Sequence, residues 1–225
     1  MGIATLGVVL ALPAGALGAT VATDRACYNA DGSDAVSVTG SGFTPGALVN
    51  VLVDNKVSST PLVAGADGSV TTKLPVPNPP QGGPTAHDRS YGLRLQESGE
   101  GGVTGAVAST TFSAADLFGD YSPNARSLLS KVRFFASGFA LGQPRGAAMP
   151  AIYVHYVDPR GKARLTVPLG TGQGPCGTIR RTKRMRIFPF VPRSGTWTLQ
   201  FDTSRRYVKG SDTSPFRNYR LTLTI

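Results

Sequence analysis

Apolar and polar residues alternate most strictly near the carboxy end of the chain. There Trp197, Leu199 and Phe201 alternate with Thr198, Gln200 and Asp202, and Tyr219, Leu221, Leu223 and Ile225 alternate with Arg220, Thr222 and Thr224. A period of two puts one apolar face on a core and one polar face in water, so both stretches read as half-buried β-strands. Val-rich runs at 49–54 and 152–158 read the same way, and turn signals follow them at Ala66-Asp67-Gly68-Ser69 and Asp158-Pro159-Arg160-Gly161-Lys162. In the second turn Pro159 presets its own φ, and Gly161 can take the positive φ that closes a hairpin. The one helical pattern is a single turn at 127–131. Short strands at regular spacing without amphipathic helices predict an all-β chain.

The strand-turn pattern occurs twice. Val38-Thr39-Gly40-Ser41-Gly42-Phe43-Thr44-Pro45-Gly46 leads into a strand ending at Asp54, and Phe134-Phe135-Ala136-Ser137-Gly138-Phe139-Ala140-Leu141-Gly142 leads into one ending at Asp158. Phe43 to Asp54 spans 11 positions and Phe139 to Asp158 spans 19, so the second copy carries eight extra residues in its turn. The offset of 104 between Asp54 and Asp158 recurs between Leu95-Gln96 and Leu199-Gln200. Such self-similarity is the mark of duplication. It predicts two tandem β-sandwich domains, 24–113 and 128–225, joined by a linker at 114–127. The stretch Thr39-Gly40-Ser41-Gly42-Phe43-Thr44-Pro45-Gly46, a Val-rich strand and then Ala66-Asp67-Gly68-Ser69-Val70-Thr71 resembles bacterial immunoglobulin-like modules. The likeness is to those of secreted actinobacterial proteins, of the plexin/transcription-factor or neocarzinostatin type. It covers most of residues 36–76 and implies an immunoglobulin-like sandwich in each copy. The cysteine pairs that the neocarzinostatin family uses inside one domain are absent here.

Residues 1–22 carry no ionisable side chain; a compact apolar run at 3–12 precedes Pro13 and the small residues Ala14, Gly15, Ala16, Gly18 and Ala19. A run near ten residues followed by small ones fits a secretory signal peptide at 1–22 better than a membrane span, which needs about 20. Cleavage would follow Ala16, Gly18 or Ala22. No Lys or Arg precedes the run, so a start further upstream, or an uncleaved buried strand, is the competing reading. No second apolar stretch reaches spanning length, which predicts a secreted or cell-wall-associated protein. In that compartment the two cysteines, Cys27 and Cys176, fit one disulfide bridging the two domains, the alternative being two buried thiols.

Charge is segregated along the chain. The net charge is +10, yet residues before 114 sum to −3 and those from 114 onward to +13. Only 16% of residues are charged, and Gly and Pro together make 45 of 225, without a collagen period. A field of one sign over one domain attracts polyanions. The densest run is Arg180, Arg181, Lys183, Arg184 and Arg186, with Arg205, Arg206 and Lys209 as a second cluster. As a strand, the run would put Arg180, Arg184 and Arg186 on one face and Arg181 and Lys183 on the other. That arrangement belongs to an edge strand or a protruding hairpin. Lys and Arg there either blunt an edge against aggregation or dock on an acidic surface. Nucleic acid would accept the charge too, but the export signal and the lack of a reading motif argue against it.

Catalytic chemistry finds little support. His155 has one carboxylate nearby in sequence, Asp158, which points away from it by strand parity, and His87 lies in a Pro/Gly-rich loop. The two glutamates, Glu97 and Glu100, sit in a glycine-rich hairpin tip, and two Cys with two distant His show no metal-ligand spacing. The expectation is a secreted, non-enzymatic, cofactor-free binding or spacer protein. It would act at the bacterial envelope through its basic second domain, with acidic envelope polymer or an anionic surface as partner. The runner-up is a carrier of an apolar small molecule, as the neocarzinostatin likeness implies.

Overall fold

A computed structural model describes residues 18–79, 87–98, 104–125, 127–210 and 217–225. Every regular element among these residues is a β-strand. The first half contains β1 (Thr20–Thr23), β2 (Cys27–Asn29), β3 (Ala35–Ser41), β4 (Leu48–Val53), β5 (Lys56–Val57), β6 (Leu62–Val63), β7 (Val70–Pro75), β8 (Asp88–Ser98) and β9 (Thr104–Ala115). The second half contains β10 (Phe118–Ser122), β11 (Lys131–Ser137), β12 (Ala151–Val157), β13 (Ala163–Thr171), β14 (Met185–Arg186), β15 (Thr196–Asp202) and β16 (Asn218–Thr224). The helical turn expected at 127–131 is a β-turn, closed by the Ser130 N–H on the Ser127 carbonyl at 3.0 Å.

Two hydrophobic cores form, each from two sheets. In the first, Val36 and Val38 of β3 and Leu74 of β7 meet Val49 and Val51 of β4, Leu93 and Leu95 of β8 and Phe112 of β9. In the second, Val132 and Phe134 of β11 meet Ile152, Val154 and Tyr156 of β12 and Trp197, Leu199 and Phe201 of β15. Inward residues recur at every second position in both, as the sequence pattern requires.

The strand orders agree between halves. One sheet runs β1-β3-β7 in the first half and β10-β11-β14 in the second; the other runs β9-β8-β4-β5 and β16-β15-β12-β13. Two additions mark the first half: β2 pairs in parallel with β9, and β6 pairs with β4. The Ser-Gly-Phe turns correspond as well. Gly42 and Gly138 take φ of 80° and 78°, and the phenylalanines after them, Phe43 and Phe139, are buried. The ladders refine the alignment by one residue. Val51 pairs with Leu95 and Tyr156 with Leu199, so β4 and β12 correspond at an offset of 105 where β8 and β15 keep 104.

Three expectations change. Residues 114–127, read as a linker, contain the last residues of β9 and all of β10, which pairs with β11 over Phe118↔Ser137 to Ser122↔Arg133. The chain thus passes from one sheet system to the next through Asp116 and Leu117 alone. Of residues 1–22, read as a signal peptide, 1–17 lie outside the described residues, but Thr20, Val21 and Ala22 are in β1, paired with Ser41, Gly40 and Thr39. Gln200 and Asp202, placed in water by the alternation, are 1% and 0% exposed, because the segment 203–209 folds over the outer face of their sheet. Glu100 lies outside the described residues.

A third, small cluster joins the two halves: Cys27, Ala115, Leu141 and Cys176. The cysteines form the disulfide, with Cα atoms 5.1 Å apart, so the two-thiol alternative is excluded. The eight extra residues of the second Ser-Gly-Phe turn reach this junction. From that turn the Arg145 guanidinium donates to the Thr23 hydroxyl at 2.5 Å and the Thr111 carbonyl at 3.0 Å, both in the first half.

Candidate anion-binding edge

The basic run lies along the free edge of β11, held there by one anchor in three rather than by a period-two ladder. Ile179 exchanges backbone bonds with Ala136 (2.8 and 3.0 Å), the Thr182 N–H donates to the Phe134 carbonyl (2.9 Å), and Met185 pairs with Val132. The buried Thr182 hydroxyl also accepts the Phe134 N–H at 3.0 Å. Residues 179, 182 and 185 face the protein, and Arg180, Arg181, Lys183, Arg184 and Arg186 are all exposed to water. Only Met185–Arg186 is strand, so the expected split of the five cations onto two faces is replaced by one exposed row.

This row meets a basic residue that the run itself does not contain. Arg133 points outward from β11, one position from the inward Val132 and Phe134, and its Nη1 donates to the Thr182 carbonyl at 2.9 Å. That bond fixes the guanidinium beside the run. Arg133, Arg180, Arg181 and Arg184, with Ser122, Pro123 and Phe135, line a groove of about 390 Å³. Among the described residues none of the four arginines is within ion-pair distance of a carboxylate. Four uncompensated guanidinium groups around a concave surface present paired N–H donors at the spacing that phosphate and carboxylate oxygens accept. Alternation along β11 was the signal that could have found Arg133: it is the outward residue nearest the run.

Arg205, Arg206 and Lys209 are exposed but do not join the groove. They lie in the segment covering the outer face of the β13-β12-β15-β16 sheet, whereas the groove is on the outer face of β10-β11-β14. The two clusters therefore face opposite directions.

That covering segment is held by His155. Its Nε2–H faces Asp202 Oδ1 and the Ser204 carbonyl, each at 3.0 Å, and Nδ1 accepts from the Thr166 hydroxyl at 2.7 Å. Gln200 Nε2 adds donations to Asp202 Oδ2 at 3.0 Å and the Val208 carbonyl at 2.8 Å. The carboxylate partner of His155 is thus Asp202, 47 residues away, brought diagonally across on the same face by the β12–β15 pairing, in which Gln200 stands opposite His155. Asp158 instead accepts the Arg160 and Lys162 N–H groups in its own hairpin, and the Lys162 bond foremost holds its carboxyl below the usual range. A hydroxyl, an imidazole and a carboxylate in line are the members of a hydrolytic triad. Here the ring is fully buried with both nitrogens engaged, so it offers neither to a substrate. His87, expected in a loop, stacks on Phe118 at 3.6 Å at the junction.

Among the described residues no group of three or more His, Cys, Asp or Glu could hold a metal ion, and no helix is long and apolar enough to cross a membrane. No protein-family model matches the chain, and no curated protein is similar to it. The chain matches, at a TM-score of 0.38 and 11% identity, a crystal structure of a protein from Corynebacterium diphtheriae described as membrane anchored. The match covers 82% of this chain and 54% of that one, so the chain spans about half the length of that protein.

Proposed function

We propose that this protein is an exported pair of immunoglobulin-like β-sandwich domains whose second domain binds phosphate-bearing acidic polymer at the bacterial envelope, without catalysis. The observation that carries this reading is the groove of four arginines on one outer face, none of them ion-paired among the described residues. A single-sign patch of this kind gathers a polyanion from a distance, and its fixed guanidinium groups then hold oxygens at contact. The matching strand orders, the two separate cores and the two Ser-Gly-Phe turns support descent of both domains from one duplicated unit. Export is supported by the disulfide. Signal cleavage after Ala16 or Gly18 fits best, since cleavage after Ala22 would strip three of the four residues of β1.

The test replaces Arg133, Arg180, Arg181 and Arg184 together by Ser. On immobilised inorganic polyphosphate the variant is expected to bind at least about tenfold more weakly, roughly 1.4 kcal/mol. The wild-type affinity should fall steeply with salt. Equal retention of variant and wild type at every salt concentration would exclude the groove as the binding site.

Carriage of an apolar ligand draws on a different feature, an open groove of about 670 Å³ in the first domain, where Val53, Leu74, Val76 and Tyr91 share the wall with the polar Asp54, Lys56, Ser58 and Arg89. It predicts an organic-extractable molecule that copurifies with the protein.

A further inference from the structure

One end of the second domain exposes apolar side chains on rigid supports. β11 and β14 pair antiparallel with Lys131 opposite Arg186, so the turn before Lys131 and the loop after Arg186 leave by the same end. An Ile187 N–H bond to the Ser130 carbonyl, 2.9 Å, fastens one to the other. Leu128 and Leu129, the two central residues of the turn, are 39% and 69% exposed, and Val191 in the loop is 93% exposed. Large apolar residues exposed on two fastened segments at one end of a domain mark a contact surface.

The protrusions are held in place. The loop rests on a cluster of rings in which Phe188, Phe190 and Trp197 lie 5.4 to 5.8 Å apart. The Trp197 indole N–H donates to the Arg193 carbonyl at 2.9 Å. The turn is closed by its own backbone bond and by the Ser127 N–H on Ser130 Oγ at 3.0 Å. Between turn and loop a cleft of about 280 Å³ opens, walled by Leu128, Ile187, Phe188, Leu223 and Ile225.

The exposed side-chain charge of the segments at this end has one sign. The β12–β13 hairpin reaches this end, since Val157 pairs with Thr198 near the start of β15 and Pro159 abuts Gly195. Lys131, Arg160, Lys162, Arg186 and Arg193 are exposed around the apolar residues. The one acidic side chain in segments 127–131, 158–164 and 186–196 is Asp158, spent on backbone N–H groups of its own hairpin.

We propose that this end is a membrane-docking tip: Leu129 and Val191 enter the interfacial region of an anionic bilayer while the five cations lie among the headgroup phosphates. Small apolar points ringed by separated cations suit a fluid interface that closes around each of them, and the two contributions reinforce each other at an anionic leaflet. The tip shares no residue with the arginine groove, so this inference goes beyond the polymer-binding reading and fails separately from it.

The test is flotation of the full chain with vesicles of phosphatidylcholine alone and of phosphatidylcholine mixed equally with phosphatidylglycerol. Wild type is expected to float with the mixed vesicles and much less with the neutral ones. Leu129→Ser/Val191→Ser should bind the mixed vesicles about tenfold more weakly while keeping its retention on polyphosphate. In about 1 M salt, where the Debye length is about 3 Å, wild type should keep part of its binding. A Val191→Trp variant, a surface change that leaves the core untouched, should show a blue shift of its added emission on the mixed vesicles. The proposal is overturned if wild type stays unbound, if the double variant binds equally, if high salt releases all of the protein, or if the added tryptophan shows no shift. A concentration-dependent dimer that disappears in the double variant would assign the tip to a second copy of the chain instead.

Discussion

Glu97 shows how much a single side chain can organise in this fold. It is 7% exposed; Oε1 accepts the Thr44 N–H of the first Ser-Gly-Phe turn, and Oε2 accepts the Ala106 N–H of β9 at 2.9 Å. Gly105 leaves the room, for a Cβ there would meet Glu97 Oε2. The Thr44 donor foremost, then that of Ala106, pulls the carboxyl below its ordinary value of 4.5. A group whose folded value is depressed contributes stability above its unfolded value, and that contribution is lost as pH falls through the folded one. Glu97→Gln is therefore expected to cost about 1–2 kcal/mol at neutral pH. The variant should also lose part of the fall in stability below pH 4.5, as read from urea midpoints across that range. A variant with the wild-type acid slope would show that the carboxylate is not the titrating group. Nothing local in sequence announced this clamp, because Thr44 lies 53 residues away. His155 was opaque for the same reason: its partner Asp202 becomes its neighbour only once β12 and β15 have paired.

Among the elements, the Ser-Gly-Phe turn was legible because its glycine is required by backbone geometry. Gly138 has φ of 78°, and an added Cβ would stand 2.6 Å from the Asp116 carbonyl oxygen. Gly161, at φ of 80°, has open space where its Cβ would be. Gly161→Ala should cost about 1 kcal/mol, the strain of the left-handed region alone, and Gly138→Ala about 2 kcal/mol or more, since the carbonyl must move as well. Equal urea midpoints for the two variants would refute the steric argument. The clean alternation of β15 and β16 identified both as strands and gave their inward faces, but it did not show that the other face of β15 is covered at Gln200 and Asp202. The basic segment misled because its anchors recur every third residue, a rhythm set by docking onto β11 and not by a ladder of its own. The stretch read as a linker misled because Phe118 and Tyr121 of β10 are separated by glycine and aspartate, which mask its strand character.

At the scale of the whole molecule, the junction is stiffer than a chain crossing of two residues would make it. The disulfide ties positions 149 apart in sequence, Arg145 reaches across to Thr23 and Thr111, and Thr178 donates to Asp88 at 3.0 Å. All four ties come from two segments of the second half, the long turn after β11 and the loop after β13, and the eight inserted residues of that turn thereby acquire a use. Chain-entropy reasoning assigns a loop of this length about 5 kcal/mol. Because both cores share the bridge, loosening of one is opposed by the other, and the intact protein is expected to unfold in one cooperative calorimetric transition. Cys27→Ser/Cys176→Ser combined with Arg145→Ala removes the covalent tie and the guanidinium clamp while leaving both hydrophobic clusters whole. That variant should unfold in two separated transitions, the strands of each half keeping their own protection against hydrogen exchange. A single transition at lower temperature would mean that the halves depend on each other through their packing, and the reading of two self-sufficient sandwiches would fall with it.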